Sequence, residues 1–252
     1  TIYNNITQLS SINAGEGITL TATENIVILG TTITAETLGL TSGESILIGA
    51  AISNYGMGNG GSFTSFVQEA HTSNLITSGD ININAGSNFI LTSGESIINT
   101  HTEHTTTNSN FFNGNETTIT DIFTLNNISS NITSGGNINI TSGNDLTIIG
   151  SNITTTTTTT TGNGDINLTS TTGDVNIIAT TDINSHTTSV TNLNMFDASI
   201  DVEGVNTQTI ISSNITSANN INITSGNNIN ILASNLTGVE GNLNATGDIN
   251  IL

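Results

Sequence analysis

NINITSGNDLTI, Asn137 to Ile148, is the stretch on which the reading of this chain turns. It sets Ile138 and Ile140, then Leu146 and Ile148, on alternate positions, with a Thr-Ser-Gly-Asn corner between the two pairs. Alternation with a period of two marks a short strand with one buried face. Small polar residues supply the turn chemistry between such strands. The phrase therefore reads as two strands joined by a polar corner.

The phrase recurs. GITLTATENIVI (Gly17 to Ile28) and NINITSGNNINI (Asn220 to Ile231) are close copies. Looser ones are LGLTSGESILI (Leu38 to Ile48), DININAGSNFIL (Asp80 to Leu91), DINLTSTTGDVNI (Asp165 to Ile177) and GNLNATGDINI (Gly241 to Ile251). After three copies comes a further short element, ILGTTIT (Ile28 to Thr34), IIGSNIT (Ile148 to Thr154) and ILASNLT (Ile231 to Thr237), adding an aliphatic at Ile33, Ile153 or Leu236. Three strands per repeat follow. Ile18, Leu20, Ile26 and Ile28 return as Leu38, Leu40, Ile46 and Ile48, each 20 residues on. A fixed period of this size with three short strands predicts an all-β, right-handed parallel β-helix, because each coil must come back to the same angular position to pair with the next. Insertions should then sit at corners.

Energetics require the repeats to come in series. One coil buries about five aliphatic side chains at roughly 2 kcal/mol each, while ordering about 20 residues costs at least about 20 kcal/mol of backbone entropy. Stacking at about 4.8 Å closes the backbone hydrogen bonds and lays like residue over like, aliphatic inside and Asn or Thr at corners. Gly43, Gly86, Gly143, Gly226 and Gly247 fall at corners, where a bend requires positive φ or close approach between coils. Asn, which tolerates left-handed bends, is expected there too. The chain has no Pro, which would remove a ladder donor from a strand.

Three segments break the rhythm: Ser53 to Leu75, Asn99 to Asn127 and Asn184 to Thr209. They hold Tyr55, Phe63, Phe66, Phe111, Phe112, Phe123 and Phe196 and all 4 histidines. These are expected to be excursions from one continuous solenoid spanning 1–252, and the places where specific recognition resides. Thr1 to Ser10 lack the basic start and apolar core of a signal peptide, and Gly247 to Leu252 stop inside a repeat. Both ends are expected to be cuts in a longer chain.

Composition narrows the partners. Lys and Arg are absent and the formal charge is -19, so nucleic acid and anionic membrane surfaces are repelled. Cysteine is absent, so stability must come from packing without disulfides or thiolate metal sites. Abundant, regularly placed aliphatics argue against disorder. Strands of three to five residues are too short for a membrane barrel, which needs about 9 to 11.

His101, Glu103 and His104 form the one cluster of ligand-type residues; in a strand His101 and Glu103 share a face and His104 points away. Polar side chains on an exposed hairpin explain them without a metal. GNGDINL (Gly162 to Leu168) has a calcium β-roll flavour, but no tandem copy follows to complete a site, and Asp165 matches the corner residues Asp80 and Asp248. Asp197, Asp201 and Glu203 cluster locally, yet a glycoside hydrolase needs two carboxylates across one cleft. Asn131, Asn152, Asn214 and Asn235 head Asn-x-Ser/Thr triplets that composition alone generates. No catalytic, cofactor-binding or metal residue is assigned, and the chain is not expected to be an enzyme.

The phrase of two aliphatic pairs around Thr-Ser/Ala-Gly-x-Asn/Asp, followed by Gly/Ala-Ser-Asn-Ile, resembles the haemagglutinin repeats of large two-partner-secreted exoproteins. Filamentous haemagglutinin and the toxin carriers of contact-dependent growth inhibition are members. IGAAISNY (Ile48 to Tyr55) and IINTHTEHTTTNSNFFNG (Ile97 to Gly114) look like the polar hairpins of those repeats. The chain departs from them where Lys or Arg often follows the corner glycine: here stand Glu44, Asn144 and Asn227. The resemblance implies a secreted filament on a bacterial surface, an outer-membrane secretion partner, and a host or target-cell receptor. A β-helical viral or phage fibre shaft and a glycan-binding module are the alternatives. Self-association, lateral or end to end, is left open.

Overall fold

A computed structural model describes residues 2–5, 9–59, 62–107, 114–156, 164–193 and 197–252. Among them the regular elements are all strands. After β1 (Ile2–Asn5), coil 1 runs through β2 (Ser10–Asn13), β3 (Ile18–Ala22) and β4 (Ile26–Leu29). Coil 2 follows as β5 (Thr31–Ala35), β6 (Leu38–Ser42) and β7 (Ile46–Gly49). A hairpin, β8 (Ala51–Gly58) and β9 (Phe63–His71), leads into coil 3: β10 (Asn74–Thr77), β11 (Ile81–Ala85) and β12 (Phe89–Thr92). The second hairpin, β13 (Gly94–Thr106) and β14 (Asn115–Ile128), leads into coil 4: β15 (Asn131–Ser134), β16 (Ile138–Ser142) and β17 (Leu146–Ile149). Coil 5 is β18 (Asn152–Thr155), β19 (Ile166–Ser170) and β20 (Val175–Ile178). The third hairpin, β21 (Thr180–Leu193) and β22 (Ala198–Ile211), precedes coil 6: β23 (Asn214–Thr216), β24 (Asn220–Ser225) and β25 (Ile229–Leu232). Coil 7 is β26 (Asn235–Thr237), β27 (Glu240–Ala245) and β28 (Ile249–Ile251).

Each of the three strand positions in the coil builds its own parallel sheet of 7 strands, so the shaft is a parallel β-helix. Register follows the repeat: Ile18 pairs with Leu38 and Ile229 with Ile249. Five aliphatic rows run through the interior. One is Ile33, Leu75, Ile132, Ile153 and Ile215, stacked coil on coil and 1% exposed or less. Among the described residues Phe89 is the single aromatic of the buried core, lying between Ile46 and Leu146.

Outward-facing asparagines form a second set of rows. Asn139 donates to Asn82, Asn167 to Asn139, Asn222 to Asn167 and Asn242 to Asn222, at 2.8–2.9 Å. A parallel ladder runs through Asn74, Asn131, Asn152, Asn214 and Asn235, and a shorter one through Asn176, Asn230 and Asn250. At the second corner of the coil, Asn88 Oδ1 accepts from the Asp145 amide, Asp145 from Asp174, Asp174 from Asn228 and Asn228 from Asp248. The expectation that asparagine serves left-handed bends is corrected: among the described residues the one non-glycine at positive φ is Ala233. Asparagine is abundant because its amide both donates and accepts along the stacking direction.

Glycine plays two parts. The corner glycines Gly43, Gly86 and Gly143 stack, and a Cβ on Gly86 or Gly143 would overlap the carbonyl of the glycine one coil earlier. Close approach, not positive φ, demands them. Positive φ is needed where one coil passes straight into the next, at Gly30 (58°), Gly150 (52°) and Ala233 (47°). The three hairpins leave from this same corner in coils 2, 3 and 5. Their bounds differ from the expected excursions: the first ends at His71, with Leu75 wholly buried in β10, the second begins at Gly94 and the third at Thr180.

Candidate functional site

The hairpins pair with one another. Together with β1 they form an antiparallel sheet of 7 strands, ordered β1-β8-β9-β13-β14-β21-β22. Neighbouring strands of a sheet and successive coils share one spacing of about 4.8 Å. Hairpins leaving the same corner of stacked coils therefore arrive at pairing distance. Strands of 13 and 14 residues in β13, β14, β21 and β22 overturn the expectation that every strand is short. Length no longer argues against a membrane barrel for this sheet; its mixed polar and apolar rows on both faces do.

Cross-strand rows define its surfaces. Phe66, Asn99, Phe123, Ser185 and Asn206 lie side by side on one face. The next row on that face holds Thr64, His101, Asp121, Thr187 and Gly204. On the opposite face Ile122, Thr124, Asn184, His186, Val205 and Thr207 line a shallow hollow. Phe66, Met57 and Ile98 are exposed, and so is all of β22 from Ala198 to Ile210.

The candidate ligands are placed as follows. His101 and Glu103 share a face and His104 points to the other, as strand geometry requires. His101 Nδ1 meets Asp121 Oδ1 at 2.6 Å across β13 and β14, both side chains solvent-accessible. His71 bonds Ser53, His104 bonds Thr106 and His186 bonds Thr188. No three His, Asp or Glu converge on a metal position among the described residues. Asp121 was not singled out from sequence; folding the hairpin about residue 111 would have set it opposite His101.

Asp165 Oδ1 accepts from the Asn220 amide and the Asn219 side chain, so it serves as a corner residue. Gly162 and Asn163 lie outside the described residues, as do Phe111, Phe112, Phe196 and the threonines 157–161. Asp201 and Glu203 are exposed on β22 beside Val190 and Thr188, on an edge strand and not across a cleft from one another. Asn131, Asn152, Asn214 and Asn235 all belong to one amide ladder, their side chains committed to stacking.

The model of the Hemagglutinin repeat family matches residues 3–174 and again 116–252. The chain belongs to the haemagglutinin repeat family. The two matches overlap over 116–174, as a stack of like coils with no privileged starting point produces. Haemagglutinin repeats are a β-helical structural family of secreted surface exoproteins. No curated protein and no solved structure matches this haemagglutinin-repeat chain.

Proposed function

We propose that this chain is a shaft segment of a secreted, surface-displayed bacterial filament used for adhesion or contact-dependent toxin delivery, exported through an outer-membrane partner. One observation carries the reading. Seven coils stack in unbroken register, with core rows continuous across all three hairpin insertions and amide ladders continuous across the second and third. Such a stack is a spacer: each coil adds about 4.8 Å of length, and each coil rests on its neighbours. Family membership favours this reading over a viral fibre.

Electron microscopy and solution scattering of the chain should give a rod, and protease treatment of intact producing cells should remove the native protein from their surface. A compact sphere, or a protein recovered only inside cells, would overturn the proposal.

Recognition of a glycan or partner surface by the hairpin sheet is a second reading, supported by Phe66 and Phe123 flanking Asn99 beside the His101–Asp121 pair. Phe66→Ala with Phe123→Ala should then reduce cell adhesion while leaving the circular dichroism unchanged. Unaltered adhesion removes this second reading alone.

A further inference from the structure

We propose that the face of the hairpin sheet bearing Phe66 and Phe123 binds an uncharged, extended β-glucan of the cellulose type, laid across the strands. The inference deepens the second reading above, recognition by this sheet, and rests on it. Phe66 on β9, Asn99 on β13 and Phe123 on β14 stand directly opposite one another in adjacent strands. These three strands each pair on both sides, so the patch is internal to the sheet. A residue of an antiparallel sheet faces one neighbour at about 5.5 Å and the other at about 4.5 Å. The two aromatic positions therefore stand about 10 Å apart, with an amide between them.

That spacing fits a ribbon of sugars. In a cellulose-type chain successive rings turn over, so the same ring face returns at every second unit, and two units span close to the distance between the two aromatic positions. The apolar C–H faces of such rings lie flat on phenyl groups, which offer broad apolar surface with no polar group to desolvate. Phe66 is 42% exposed, and Gly56, its neighbour on β8, has no side chain to cover it. Asn99, exposed between the rings, brings a donor and an acceptor to the intervening sugar. The next row on the same face sets Thr64, His101 and Asp121 along the ribbon's edge, where its hydroxyls point. His101 Nδ1 holds Asp121 through Oδ1 at 2.6 Å, which leaves Oδ2 to accept from those hydroxyls. Charge selects among polysaccharides: at -19 with no Lys or Arg, the chain repels uronate and sulfate polymers. A coiled α-linked glucan presents no flat face at this spacing.

Isothermal titration calorimetry of the chain with cellohexaose should give saturable heat, and maltohexaose, its α-linked isomer, should give none. Phe66→Ala and Phe123→Ala should each weaken binding at least about tenfold. Met57→Ala, exposed on the opposite face, should leave it unchanged. Phe66→Ala combined with Asn99→Phe keeps two rings but sets them on adjacent strands, about 5 Å apart, and should not restore affinity. Circular dichroism checks the fold of each variant, and Phe66→Ala, at an exposed position, decides the case if Phe123→Ala disturbs the sheet. Binding that maltohexaose shares equally, or that Phe66→Ala leaves unchanged, overturns the proposal. Absence of heat with cellohexaose overturns it too. If the Phe66→Ala, Phe123→Ala chain then still loses adhesion, the sheet recognises a different surface and the second reading survives; if adhesion is unaltered, both fall.

Discussion

Asn167 is bonded on both sides of its own coil: its Nδ2 donates to Asn139 Oδ1 at 2.8 Å and its Oδ1 accepts from Asn222 at 2.8 Å. Asn167→Ala therefore removes two bonds and should cost about 1–3 kcal/mol. Asn242→Ala, which removes one bond on the outermost coil, should cost about half as much. Urea midpoints should fall in that order with unchanged slope. At the direct corner, a Cβ on Gly30 would meet Ala51 Cβ at 2.7 Å and the His71 carbonyl at 2.9 Å, with φ at 58°. Gly30→Ala should lose at least about 2 kcal/mol from the two effects together. Ala233, with φ 47° at the matching corner of coil 6, already bears the left-handed cost. Ala233→Gly should therefore be neutral or stabilising by up to about 1 kcal/mol in the same assay.

Every hairpin is inserted at one point in the coil. Ala50 and Ser73-Asn74, on either side of the first hairpin, correspond to the contiguous Gly150-Ser151-Asn152 of coil 4. Ala179 and Ser213-Asn214 correspond likewise to Ala233-Ser234-Asn235. The serine bonds persist: Ser213 Oγ donates to the Ile178 carbonyl at 2.7 Å, as Ser151 does to Ile149 at 2.9 Å. Excising residues 51–72 should thus join Ala50 to Ser73 as a direct corner and leave the shaft folded. A retained β-type circular dichroism spectrum and cooperative melt check this; an unfolded product would refute the corner equivalence. The hairpin sheet and each shaft sheet have 7 strands. A two-strand hairpin takes up the axial rise of two coils. Hairpin-free coils are what keep the side sheet in step with the shaft.

The molecule as a whole carries -19 without one Lys or Arg, so its carboxylates repel along the entire stack. Self-repulsion destabilises the folded state and is screened by salt. The melting temperature should therefore rise between about 10 mM and 0.5 M NaCl, where the screening length shortens from about 30 Å to below 8 Å. A fall over that range would show that local ion pairs, such as His101–Asp121, outweigh the global field.

Aliphatic pairs at a spacing of 20 were enough to establish the coil, its three strands and its core rows, because periodic burial is a local pattern repeated. The partners of Ile18 and Ile229 were legible from counting alone. Other features depended on how coils meet in space. Asparagine's place in ladders instead of bends, and close approach at Gly86, come from the 4.8 Å stacking of identical positions. The length of the hairpin strands, the Asp121 partner of His101 and the joining of the hairpins into one sheet come from pairings between segments up to 78 residues apart, such as Asn115 with Leu193. Such contacts leave no periodic trace in the chain: the residues that make them occur once, and only the register of the assembled sheet brings them together.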